Sequence, residues 1–91
     1  MHAVVVRVSI SDVESSRRQL NEVVVPLVKQ APGFHAGYWT APPGGSGGGL
    51  SMVVFDSEQN ARQAAEMVRN GPVPDGVQIE DVEVREVVAS A

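Results

Sequence analysis

The segment Phe34-His35-Ala36-Gly37-Tyr38-Trp39-Thr40 gathers the only tryptophan, the only tyrosine and one of the two histidines of the chain. An imidazole near an indole N–H can hold or polarise the oxygen of an aromatic substrate. Strict alternation puts His35, Gly37 and Trp39 on one face of a strand, and Phe34, Ala36, Tyr38 and Thr40 on the other. Gly37 then leaves a side-chain gap between His35 and Trp39, a place for a flat ligand or for a side chain of a partner. The same residues also suit plain packing at a subunit boundary or at the end of a sheet. Arg7, on the first strand, is placed to enter the same space, and an ion pair with Glu83 or Glu80 on a neighbouring strand is the structural alternative.

Other motifs carry less. Cysteine is absent, which excludes disulfides, thiolate metal sites and cysteine nucleophiles. His2 and His35 have no metal-ligand spacing, so no metal site is expected. His2, beside the terminus, is expected to be mobile and solvated. The tract Gly44-Gly45-Ser46-Gly47-Gly48-Gly49 lacks the Lys-Ser/Thr of a phosphate loop and leads into a strand, not a helix, so it reads as a flexible hairpin tip. Ser51 and Asp56 lack the strand-turn-helix setting of a catalytic serine. Glu80, Asp81, Glu83 and Glu86 read as a solvated strand edge.

The elements that must position these residues follow from periodicity. In residues 2–10, Val4, Val6, Val8 and Ile10 make one uniformly apolar face, whereas Ala3, Val5, Arg7 and Ser9 make a mixed one. Ser11-Asp12-Val13-Glu14 has the form of a capping box, with Ser11 as the cap. Val13, Leu20, Val24, Leu27, Val28 and Ala31 then form the buried stripe of a helix reaching about residue 30. Pro26 within it predicts a kink over residues 22–26. Strands are expected at 34–41 and 50–56, joined as a hairpin. A second helix, capped by Asp56 or Ser57, turns Ala61, Ala64, Ala65 and Val68 inward and ends at Asn70-Gly71. Residues 77–88 form the last strand. Its apolar parity switches from Val77 and Ile79 to Val82 and Val84, which predicts a β-bulge at Glu80-Asp81.

The order β-α-β-β-α-β gives an α+β, ferredoxin-like domain over residues 1–91: a four-stranded antiparallel sheet with two helices on one face. Valine fills 18 of the 91 positions, in keeping with so much strand. The net charge of −4 and the scattered arginines argue against nucleic acid as partner. No apolar run is long enough for a membrane span, and without a signal-peptide pattern the expected location is cytoplasmic. Two helices cover one sheet face only. The other, with Val5, Val53 or Val54, and Val82 or Val84 among its candidates, would expose an apolar patch that a second copy, sheet against sheet, would cover.

Over nearly its whole length the chain resembles the antibiotic-biosynthesis-monooxygenase-like superfamily of small dimeric α/β-barrel proteins. The residues that carry this are Val24-Val25-Pro26-Leu27-Val28-Lys29, Ala31-Pro32-Gly33-Phe34, Gly37-Tyr38-Trp39 and residues 50–58, Leu-Ser-Met-Val-Val-Phe-Asp-Ser-Glu. The resemblance implies a homodimer with a pocket between sheet and helices in each subunit. Some relatives oxygenate polycyclic phenols with neither metal nor flavin, the substrate anion reducing oxygen. The haem-degrading pattern, an Asn on the first strand with a later Trp and His, is not matched, because this first strand has no Asn and neither histidine follows Trp39. Two functions are therefore expected to compete. One is a cofactor-independent monooxygenase-like protein for a small aromatic or quinone-type molecule, with His35 and Trp39 catalytic and Tyr38 and Arg7 binding substrate. The other is a non-enzymatic dimeric module for a ligand or a partner.

Overall fold

A computed structural model describes residues 1–44, 47–71, 73 and 76–91. The chain runs β1 (His2–Ile10), α1 (Val13–Gln19), a π-helical turn (Leu20–Val24), α2 (Val25–Val28), β2 (Phe34–Thr40), β3 (Gly47–Phe55), α3 (Glu58–Asn70) and β4 (Val77–Glu86). The four strands form one sheet in the order β2-β3-β1-β4 with every neighbouring pair antiparallel. This is the expected ferredoxin-like arrangement. No helix among the described residues is long and apolar enough to cross a membrane.

The core lies between the sheet and the helices. Val4, Val6, Val53 and Phe55 meet Ala61 and Ala65 of α3 there, with Val28, Ala31, Val82 and Val84 packed around them. Ala61 and Ala65 have no exposed surface; their methyl groups let α3 lie close to the strands. Val53, Val82 and Val84 thus belong to the helix-covered face, and Val5 and Val54 to the other.

The first helical rod accommodates its proline by widening. Pro26 has no N–H, and its ring would meet the carbonyl of Glu22 in a regular helix. The preceding turn opens to π geometry, the Val25 N–H bonding to the Leu20 carbonyl. The irregularity expected at 22–26 therefore sits at Leu20–Val24. One inserted residue rotates the remainder of the rod by about 100°, so Leu27 leaves the expected stripe and is 58 % exposed, while Ser16, earlier in the rod, is buried.

The caps also differ from the expected ones. Asp12, not Ser11, caps α1 by accepting from the Ser15 N–H at 3.1 Å. Ser11 is used differently: its backbone N–H and its hydroxyl both donate to the Gly76 carbonyl, at 2.8 and 3.2 Å, tying the end of β1 to the start of β4. Ser57 caps α3 through the Asn60 N–H at 3.2 Å.

The glycine tract departs from the expectation of a loose tip. Gly47, Gly48 and Gly49 are part of β3 and pair with Ile10, Ser9 and Val8, and residues 45 and 46 lie outside the described residues. Gly49 is required by space, because a Cβ there would stand 2.7 Å from Ile10 Cδ1 and 2.9 Å from Val8 Cγ2. Of the turn-rich stretch 72–76, residues 72, 74 and 75 lie outside the described residues. The last strand ends at Glu86, and its bulge is where the parity switch put it. Arg7 pairs with Asp81 and Val8 with Ile79, so Glu80 is the extra residue.

Candidate functional site

The strand that carries the aromatic residues contains a bulge that the sequence does not announce. Phe34 pairs with Phe55, yet Ala36 pairs with Val54, so His35 is the additional residue. Phe34 is thereby turned to the helix-covered face, its ring edge-on to Phe55 at 6.4 Å and 79°, and it joins Trp39 around the core. The expected set of His35, Gly37 and Trp39 on one face is corrected accordingly. Gly37 and Trp39 share the inner face, opposite Val53 and Ser51, while His35 sits in the bulge on the edge strand, exposed.

The gap expected at Gly37 is occupied by the chain itself. A Cβ on Gly37 would lie 2.9 Å from Trp39 Cη2 and 3.0 Å from Cζ3. The six-membered ring of the indole therefore rests over the glycine, leaving no room there for a flat ligand. The indole N–H makes no hydrogen bond among the described residues.

Tyr38 and Arg7 lie on the opposite side of the sheet, the one without helices. Three rows of residues cross that face in register: Ala36-Val54-Ala3-Arg85, then Tyr38-Met52-Val5-Glu83, then Thr40-Leu50-Arg7-Asp81. Along β2 and β3 the face is apolar and accessible, with Tyr38 70 %, Met52 44 % and Leu50 39 % exposed. Ala3 and Val5, by contrast, are already buried. Along β4 the face is charged. Arg85 pairs with Glu83 at 2.9 Å, but the expected ion pair of Arg7 with Glu83 or Glu80 is not formed, and neither Arg7 nor Asp81 has an ion-pair partner within 4 Å among the described residues.

The structure thus brings Tyr38 and Arg7 to one face and Trp39 to the other, with His35 on the rim; the four do not converge on one cavity. Two surface depressions among the described residues lie elsewhere, one along the outer side of α3 at Glu58, Arg62 and Glu66, the other beside β4 and the end of α3 at Arg69, Val77 and Ile79. No group of three or more metal-ligating side chains occurs among the described residues.

His2 is less solvated than its place near the terminus suggests. Its side chain is 23 % exposed, with Nε2 3.9 Å from Glu58 Oε1 and Nδ1 buried without a hydrogen bond. The Arg62 Nε–H bonds to Glu58 Oε2 at 2.8 Å. This bond and the guanidinium charge, with a smaller contribution from His2, hold the Glu58 carboxyl below the usual glutamate range.

Missing from the sequence-based site were Met52 and Leu50, which flank Tyr38 and Arg7 on the open face. Their alternation with Ser51 and Val53 was the available signal, hidden because this strand is apolar on both sides. Comparison of the chain with protein-family models, with curated proteins and with solved structures returned no match.

Proposed function

We propose that the chain functions as a homodimeric, non-catalytic binding module whose two copies pair through the helix-free sheet faces, in the manner of the dimeric α/β barrels that its sequence resembles. The observation that carries this is the exposure, in adjacent register rows, of Tyr38, Met52 and Leu50 on a face that the chain's own helices leave open. Apolar groups gathered in this way lose their water when a second copy covers them, which is the main favourable contribution to association. The separation of His35 from Trp39 favours binding over acid–base catalysis, since a base and a donor must both reach one substrate. Light scattering at low micromolar concentration is the test. Twice the 9.6 kDa chain mass is expected, and a species of one chain mass overturns the reading.

One observation favours the oxygenase as a second reading: the indole N–H of Trp39 is uncommitted within the described residues and available to an oxyanion. A hydrogen bond from it would stabilise a phenolate that then transfers an electron to oxygen. Oxygen uptake with anthrone-like and quinol substrates should then fall in Trp39→Phe. Uptake that is absent, or unchanged by that substitution and by His35→Ala, removes the reading.

A further inference from the structure

Helix α3 ends on two residues that can react with each other. Asn70 and Gly71 form the only Asn-Gly pair of the chain, the other asparagines, Asn21 and Asn60, preceding Glu22 and Ala61. We propose that Asn70-Gly71 is a self-modification site, at which the Gly71 nitrogen displaces the side-chain amide of Asn70 as ammonia, and that the last turn of α3 sets its rate. Neither step needs a second copy of the chain.

The chemistry requires only water. The Gly71 nitrogen gives up its proton and attacks Asn70 Cγ, closing a five-membered imide. The bond from Cγ to Nδ2 breaks, and that nitrogen leaves with the proton as ammonia. Water then opens the imide at one of its two carbonyls, giving aspartate or an isoaspartate whose backbone runs through the former side chain. Nothing is oxidised or reduced. Glycine favours the attack because no Cβ stands beside its nitrogen.

The way the helix stops makes this pair unavoidable. Gly71 ends α3 in an extended conformation, φ −90° and ψ 176°, and a Cβ on it would stand 2.6 Å from the Met67 carbonyl oxygen. The residue that terminates the helix is thus also the one that opens Asn70 to attack.

In the closed turn both reacting groups are held. The Gly71 N–H donates to the Met67 carbonyl at 2.8 Å, and Asn70 Nδ2 donates to Glu66 Oε2 at 3.5 Å. Cyclisation therefore waits for the turn to open. Arg69 opposes that opening, since its guanidinium donates to Glu66 Oε1 at 2.9 Å and to the Val82 carbonyl on β4 at 3.1 Å. Arg69 and Asn70 are both exposed, and a helix end of this kind opens without unfolding the sheet.

The products loosen what held them. A carboxylate at position 70 replaces a donor to Glu66 with a second negative charge beside it, at the helix end whose partial charge is already negative. Isoaspartate also adds a backbone carbon, which carries the Gly71 N–H away from the Met67 carbonyl. Conversion is therefore a one-way weakening of the tie between α3 and β4.

Timed incubation of the whole chain near neutral pH, folded and in denaturant, tests this by peptide mass mapping and enzymatic methylation of isoaspartate. The denatured chain should gain at residue 70 the mass of an amide-to-carboxyl exchange, and Asn70→Gln should not. The folded chain should convert too, but at least roughly tenfold more slowly. Arg69→Gln, with the circular dichroism of the parent, should speed conversion of the folded chain about threefold or more, without the same gain in denaturant. If that variant loses the parent spectrum, hydrogen exchange of the Gly71 amide in the parent replaces it, and exchange and conversion should rise together in mild denaturant. A folded chain that never converts, over an incubation many times that needed by the denatured chain, overturns the site. Equal rates folded and denatured, indifference to Arg69→Gln, or exchange that rises without conversion overturns the control by the helix end.

Discussion

The indole of Trp39 lies over Gly37, two residues back on the same strand, with Cη2 2.9 Å from the position a Cβ would take. The contact closes from within the place where a ligand was expected. It also makes the glycine a packing requirement rather than an open gap, because any side chain would lift the indole off the core around Val53 and Phe55. Gly37→Ala should destabilise the fold by about 1–3 kcal/mol, the usual cost of overpacking. Denaturant unfolding measures the loss, and the emission of the single tryptophan should be red-shifted in the folded variant. Unchanged stability and emission would mean that the ring does not rest there.

A second glycine is held by both its conformation and its neighbours. Gly33 has φ +77° and its carbonyl accepts from the Asp56 N–H at 2.9 Å. Asp56 Oδ1 in turn accepts from Asn60 Nδ2 at 2.8 Å, and a Cβ on Gly33 would overlap that carboxylate. Gly33→Ala should cost more than the roughly 1–2 kcal/mol of placing an L-residue in the left-handed region, since the Asp56–Asn60 pair must also give way. Comparing Gly33→Ala with Gly33→Ala/Asp56→Ala by chemical denaturation separates the two costs. Removing the carboxylate should recover part of the loss and leave the conformational part.

How much of this was legible depended on whether a strand or helix announces its irregularity. The bulge in β4 was readable because charged residues alternate with valines there, so one extra residue visibly shifts the parity. The bulge at His35 was not, because Phe34, Ala36, Gly37 and Trp39 suit either face of a strand and a slip among them leaves no mark. This one slip moved Phe34 inward, left His35 on the rim, and separated the imidazole from the indole. In the first helix Pro26 announced an irregularity but not its form. A π turn adds a residue, and a fixed period carried through it assigns Leu27 to the core; Ser16, which precedes that turn and is in phase with Val13 and Leu20, is overlooked because it is polar. Composition assigns Gly47, Gly48 and Gly49 to a loop, whereas Val8 and Ile10 lean across Gly49 and leave space for nothing larger.

The open face should tolerate charge as a folded monomer but not as a dimer. Met52 is exposed in the middle row of the face, beside Tyr38 and Val5. A glutamate in its place remains solvated in a single chain and loses its water when a second copy covers it. Met52→Glu is expected to retain the parent circular dichroism and to elute and scatter as one chain. Dimerisation unaffected by Met52→Glu would locate the contact on another surface.

Glu58 should register the arrangement at the start of α3 through its titration. Its carboxyl is held below the usual glutamate range, chiefly by the hydrogen bond and charge of Arg62 and less by His2. A folded-state value lower than the unfolded one means that the folded chain binds the proton less readily. The interaction therefore adds stability above the unfolded glutamate pKa and loses it as the pH falls through the folded value. In a carboxyl carbon NMR titration, Glu58 should protonate at lower pH than an ordinary glutamate. Arg62→Gln should move its midpoint upward, toward the ordinary value, and His2→Ala should move it in the same direction by less. A midpoint indifferent to Arg62→Gln would show that this guanidinium does not hold the carboxylate in solution.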